Sequence, residues 1–93
     1  MKEYEKKLEE MLQESAEAHH QAYLDVDGVD PNWSMFYAPF MIVHGLQVPV
    51  SAQELSDQLN IYDTEFVEQN LKGAWQPYYA KRMLEDYPTL IIN

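Results

Sequence analysis

The chain has 93 residues, 16 of them acidic against 6 basic, for a formal charge of −10 at pH 7, with no cysteine and an aromatic share of 13%. That length holds one hydrophobic core rather than two, and the missing cysteines exclude a disulfide framework and a thiolate zinc site, as suits a reducing cytoplasm. Not one Lys or Arg lies between Leu8 and Leu71, which excludes a surface that binds nucleic acid by displacing counterions at phosphates.

Between Lys2 and Leu24 there is neither Pro nor Gly, and Tyr4, Leu8, Met11, Leu12, Ala16, His19 and Tyr23 recur at spacings of three and four. That period puts them on one stripe and predicts an amphipathic helix over 2–24 that needs partners. Glu3 with Lys7 and Lys6 with Glu10 stand at i,i+4, each pair contributing a few tenths of a kcal/mol. The stretch is too charged for a signal segment, and no apolar run in the chain nears the roughly 18 residues of a membrane span. A cytoplasmic protein without membrane contact is the expectation.

The helix stops at "DVDGVDPNW", where three aspartates crowd together. A calcium loop with Gly28 at its sixth position would put Tyr23 first and Ser34 twelfth, where carboxylates are required. The acids serve better as caps, with Asp30 at the N-cap and Pro31 at the first helical position of a helix over 31–44. On it Trp33, Phe36, Tyr37, Phe40 and Met41 share one face, which reads as a packing face. Pro39 sits inside, removes the hydrogen bond to the Met35 carbonyl and predicts a kink; Gly45 follows as the residue that ends the helix.

Ser51 and Glu54 then form a capping box, with Val50 and Leu55 at the staple positions around it. This predicts a short helix over 52–59, and Asp63, flanked by Tyr62 and Val67 at staple spacing, predicts another over 64–72 that closes at Gly73. Leu55, Leu59, Ile61, Phe66, Val67 and Leu71 repeat the apolar pattern of a helix-turn-helix. The would-be recognition helix carries Asp63, Glu65 and Glu68 and no cation before Lys72, so DNA reading would oppose its own charge. A last helix over 77–87 opens on Pro77, buries Tyr79, Ala80, Met83, Leu84 and Tyr87, and stops at Pro88. Lys81 and Arg82 lie in its middle, and "TLIIN" after it is apolar enough to pack back on the body. The expected fold is all-α, one domain over 1–93, a bundle of four to five helices with a helix-turn-helix-like pair in its second half.

Two of these helices share a motif. At an offset of 42 residues Trp33, Tyr37, Ala38 and Met41 face the identical Trp75, Tyr79, Ala80 and Met83, and Phe36 and Ile42 face Tyr78 and Leu84. In each copy a large ring folds over the next turn while the small Ala lets another helix approach, so the repeat predicts two similar helices closing a common core.

The residues His19, His20, Tyr23, Asp30, Trp33, Phe36, Tyr37, Ala38, Phe40 and Met41 spell H-H-x-x-[YF], a turn ending D-P-x-W, and [WF]-Y-A-x-[YF]-[MIL]. This resembles small uncharacterised bacterial helical modules that stand alone or are appended to proteins of the glyoxalase and bleomycin-resistance type. The resemblance covers about Glu14 to Gln58, and at Pro31, Ser34 and Pro39 the chain differs from some versions of these modules. It implies a helical fold and supplies no catalytic residues.

His19, His20 and His44 are the conspicuous chemical groups. A zinc or iron site needs three or four converging ligands, and no H-x-x-x-H pair starts one; a His bonded to a carbonyl or phenol and packed on Trp is the simpler reading. Ser15, Ser34, Ser51 and Ser56 show no nucleophile elbow, and no Gly-rich phosphate loop occurs. Neither an enzyme nor a cofactor is expected. The charge and the surplus of rings predict an accessory or regulatory module that binds a protein, either a basic partner or a second copy of itself. The alternative is a small-molecule or weakly catalytic pocket lined by His19, His20, Trp33, Tyr37, Trp75 and Tyr79, and Tyr23 joins these as a candidate interface residue. A third reading is an acidic mimic of nucleic acid that blocks a DNA-binding protein.

Overall fold

The Pro- and Gly-free first segment forms α1, Lys2–Ala22, in the computed structural model, which describes residues 2–22 and 32–93. Leu8, Met11 and Leu12 turn inward as their spacing requires. Ser15 is also fully buried, and stays satisfied because its hydroxyl donates to the Met11 carbonyl at 2.8 Å, the local back-bond that makes a helical serine tolerable in a core. The expected last two residues of this helix, the aspartate-rich turn and the Asp30–Pro31 cap lie outside the described residues.

α2 runs over Trp33–Val43, with Asn32 at its N-cap. The Asn32 carbonyl accepts from the Met35 N–H at 3.0 Å. The helix is continuous through Pro39. Its fully buried face is Ser34, Ala38 and Met41, whereas Trp33, Phe36, Tyr37 and Phe40 are half-buried; the rings form the rim of the core and the small side chains its centre. Gly45 ends the helix as its sequence position predicts, at φ +114° with its N–H on the Ile42 carbonyl at 3.2 Å. A Cβ there would stand 2.7 Å from the Asn93 carbonyl oxygen, because the carboxyl-terminal residues run alongside. Leu46–Gln47 (β1) and Ile91–Ile92 (β2) pair antiparallel, Leu46 opposite Ile92 and Gln47 opposite Ile91.

The two short helices expected over 52–59 and 64–72 are one, α3, Ala52–Glu68. The predicted helix-turn-helix-like pair is therefore absent. The capping box does its part: Ser51 is the N-cap and its hydroxyl accepts from the Glu54 N–H at 3.1 Å. No Gly or Pro interrupts the helix beyond this cap, and Leu55, Ser56, Leu59 and Tyr62 make one continuous buried face. Asn60 and Asp63 lower helix propensity by only a few tenths of a kcal/mol each, far less than burying that face contributes, about 1.5–3 kcal/mol per large apolar side chain. The real stop is at Asn70, which adopts φ 53°. The Asn70 N–H bonds the Val67 carbonyl at 3.0 Å and the Leu71 N–H bonds the Phe66 carbonyl at 3.2 Å, the paired closure of a Schellman motif.

α4, Trp75–Asp86, starts two residues before Pro77, which sits in the first turn, where its missing N–H costs nothing. Tyr79, Ala80 and Met83 form its buried face. α1 packs on α4 and α2, and α3 on α2 and α4, so the four helices enclose one core in which Leu8, Leu12, Met41, Leu55, Leu59 and Met83 are fully buried. No described helix is long and apolar enough to cross a membrane.

Candidate functional site

The two copies of the motif meet. In each, the Trp opens the helix and the Tyr follows one turn on, so the two rings of one helix touch: Trp33 and Tyr37 edge-on at 4.9 Å between centroids, Trp75 and Tyr79 at 4.8 Å. Across the helices Tyr37 stands 6.1 Å from Trp75, and Trp33 6.4 Å from Tyr79. The four rings close a circuit. Edge-to-face pairs of this kind contribute about 0.5–1.5 kcal/mol each beyond their burial.

The quartet is not sealed. It floors an open cleft of about 430 Å³ whose remaining walls are Ala16 of α1 and Asp63, Phe66 and Val67 of α3. Tyr79 is the deepest ring, 4% exposed, and its hydroxyl donates to Asp63 Oδ1 at 3.0 Å. Burial, and after it the charge and hydrogen bond of Asp63, push the Tyr79 phenol far above its ordinary value of 10. Tyr37 is raised as well, by burial. Both phenols are neutral hydrogen-bonding groups at any physiological pH. Asp63, the expected helix cap, instead brings a carboxylate to the rim of an aromatic hollow.

The structure divides the sequence-predicted site residues. Trp33, Tyr37, Trp75 and Tyr79 converge on the cleft. His19 stands beside it, edge-on to Tyr37 at 5.7 Å and to Phe36 at 5.2 Å. His20 lies in another concavity, with Gln13, Glu17 and Phe40, so among the described residues the expected pocket containing both histidines is not formed. One helical step turns the side chain about 100°, which separates neighbours on α1. Tyr23 lies outside the described residues. His44 caps α2: its Nδ1 donates to the Phe40 carbonyl at 2.7 Å, and its ring stacks on Phe40 at 4.0 Å. Glu17 and His20 stand at the E-x-x-H spacing of some metal sites, but among the described residues no three His, Asp or Glu side chains come together to hold an ion.

A second cluster escaped the sequence reading. Arg82 reaches across from α4 to α3, where its Nε and Nη2 bond the two oxygens of Glu65 at 2.9 and 3.1 Å. Its Nη1 bonds Glu85 at 3.1 Å and Asp86 at 3.4 Å. The guanidinium lies 5.2 Å over the Tyr62 ring, and Tyr62, fully buried, donates its hydroxyl to Asp86 Oδ2 at 2.8 Å. Gln58 donates to the same oxygen at 2.8 Å. The Arg82 hydrogen bonds hold the Glu65 carboxyl below the usual carboxylate value. The spacing of Arg82 to Glu85 and Asp86 was a usable signal; nothing local pointed to Glu65.

No protein-family model, curated protein or solved structure matches the chain.

Proposed function

We propose that the protein is a small acidic binding module whose cleft, where the two motif copies meet, receives a basic protein partner. The observation that carries this reading is the convergence of Trp33, Tyr37, Trp75 and Tyr79 on one open hollow rimmed by Asp63, in a chain of net charge −10. Aromatic rings supply rigid apolar area at low conformational cost and attract cations through their faces, while the surrounding charge speeds the approach of a basic surface and repels acidic ones. That same charge weighs against a second copy of the chain as the occupant, because two surfaces of −10 repel at low salt.

The cleft's volume supports a second reading, since it falls in the range of about 300–1,000 Å³ typical of small-ligand pockets. Titrations followed by ¹H–¹⁵N NMR test both. The indole N–H signals of Trp33 and Trp75 are expected to shift with a lysine- and arginine-rich peptide and to stay still with an acidic one. A basic peptide that leaves both indoles unmoved in low salt, while a neutral aromatic compound shifts them, refutes the partner reading and establishes the small-ligand one.

A further inference from the structure

Resting on the basic-partner reading, we propose that the group the cleft takes is an arginine guanidinium, ion-paired to Asp63 and laid on the aromatic floor. The fold itself contains the filled version of this arrangement. Tyr62 is buried, its hydroxyl donates to a carboxylate, Asp86, and the Arg82 guanidinium lies over the ring while pairing with that same carboxylate. Tyr79, whose ring is 6.1 Å from that of Tyr62, repeats the first two parts: a buried phenol donating to a carboxylate, Asp63. The third part is missing. Among the described residues no Lys, Arg or His pairs with Asp63, and beside the Tyr79–Asp63 pair lies the cleft.

The chemistry of the walls selects among cations. Asp63 commits Oδ1 to the Tyr79 hydroxyl and keeps Oδ2 for an incoming donor. The half-buried indoles of Trp33 and Trp75 and the phenol of Tyr37 offer flat apolar surface around it. A guanidinium is planar, weakly hydrated and able to stack while it donates, whereas an ammonium is a strongly hydrated point charge that loses more water on entering such a site. Phe66 and Val67 flank Asp63 and give the aliphatic stem of an arginine an apolar wall.

The test compares an alternating Arg-Gly peptide with its Lys-Gly and citrulline-Gly counterparts, read by tryptophan fluorescence and by the two indole N–H shifts. The Arg peptide is expected to bind about tenfold more tightly than the Lys peptide, and the citrulline peptide, flat but uncharged, to bind more weakly than either. Asp63→Asn keeps an acceptor for Tyr79 and so preserves the floor; it is expected to weaken the Arg peptide about five- to tenfold. Asp57→Asn, the same charge change on the exposed side of α3, is expected to weaken it less than twofold, which separates a contact from general charge. Equal binding of Arg and Lys peptides, with Asp63→Asn no worse than Asp57→Asn while the indoles still shift, overturns the guanidinium assignment and leaves the basic-partner reading standing. Indoles that fail to shift with any of the peptides overturn both.

Discussion

Ser34 stands next to Trp33 and is 2% exposed, as is Ser56 across the seam between α2 and α3. Their hydroxyls meet at 2.7 Å, and Ser34 Oγ also accepts from Asn60 Nδ2 at 2.8 Å. This pair sets where α2 lies on α3, and therefore where Trp33 stands relative to Asp63. Ser34→Ala removes two hydrogen bonds and leaves a buried Ser56 hydroxyl without its partner, which costs about 1–3 kcal/mol. Two effects pull the figure to the lower half of that range. Ser56 is free to turn its proton to the carbonyl one turn back, as Ser15 does, and alanine raises helix propensity by about half a kcal/mol. A loss of about 1–1.5 kcal/mol remains, or roughly 4–12 °C in Tm for a domain of this size. Ser56→Ala is expected to cost less, because Ser34 keeps Asn60. The decisive quantity is the double variant. Removing both hydroxyls leaves no buried orphan, so it should cost less than the sum of the singles by about 1 kcal/mol, and the propensity gain cancels in the cycle. Urea unfolding followed by far-UV circular dichroism measures all three. Singles that add to the double within about 0.3 kcal/mol refute the coupling, and with it the claim that this bond positions Trp33.

Gly45→Ala is expected to be more destabilising than Gly73→Ala: both have positive φ, but only at Gly45 does the new methyl meet backbone, 2.7 Å from the Asn93 carbonyl oxygen. The first should lose about 1–2 kcal/mol or more and release β2, read as faster hydrogen exchange at Asn93, while the second carries the dihedral strain alone. Arg82→Met, which keeps an unbranched stem but deletes the guanidinium over Tyr62 and its bonds to Glu65, Glu85 and Asp86, is expected to destabilise by about 0.5–1.5 kcal/mol, Glu65 keeping the Tyr78 hydroxyl. Glu65 has a depressed folded value, so its contribution is complete above the ordinary carboxylate range and fades as pH falls through and below it; in Arg82→Met that acid-side slope should flatten. The phenols of Tyr37, Tyr62, Tyr79 and Tyr87 are raised, chiefly by burial, so the stability they confer is whole below about pH 10 and is lost as pH rises further. Phenolate absorbance from these four rings should therefore rise together with unfolding, and more phenolate in a still-folded chain than the other three of the seven tyrosines can supply would contradict their burial.

Features set by local chemistry were legible in the sequence: the stripe of α1, the Ser51 cap, the glycine after α2 and the early proline of α4 each depend on a few neighbouring residues. What failed was arbitration between local signals and distant partners. Asp63 after Tyr62 looks like a cap because a short acidic side chain favours such positions. Its carboxylate is instead taken by Tyr79, sixteen positions on, and the buried face on either side keeps α3 whole. Asn70 in the left-handed region went unseen because Gly73, three residues later, was the stronger conventional stop. The pairing of Leu46–Gln47 with Ile91–Ile92 rests on two residues a side, too few for any alternation to show. For the cleft, the repeat pointed to its four rings, while its third wall, Asp63, Phe66 and Val67, fell to a separate short helix that does not form.

The burial pattern of the two motif copies explains why the chain spells the motif twice. Trp33 and Trp75 are both half-buried, Phe36 and Tyr78 likewise, Ala38 and Ala80 are both at 0% exposure, as are Met41 and Met83, and Ile42 and Leu84 are both half-buried. Each position meets the same demand in both helices: a ring at the start to floor the cleft, an alanine where a neighbouring helix presses close, a flexible methionine to fill the centre. Both copies thus answer to the same packing demands. The one aligned pair that differs is Tyr37 and Tyr79, half-buried against buried, and that is the pair where only one phenol has a carboxylate at hand. The near-symmetry builds an apolar floor from two helices, and its single departure puts charge at one end of it. A symmetric floor alone would offer no preferred direction to a ligand; the Tyr79–Asp63 end supplies one, which is why a cation with a flat face suits the cleft better than a plain hydrocarbon group.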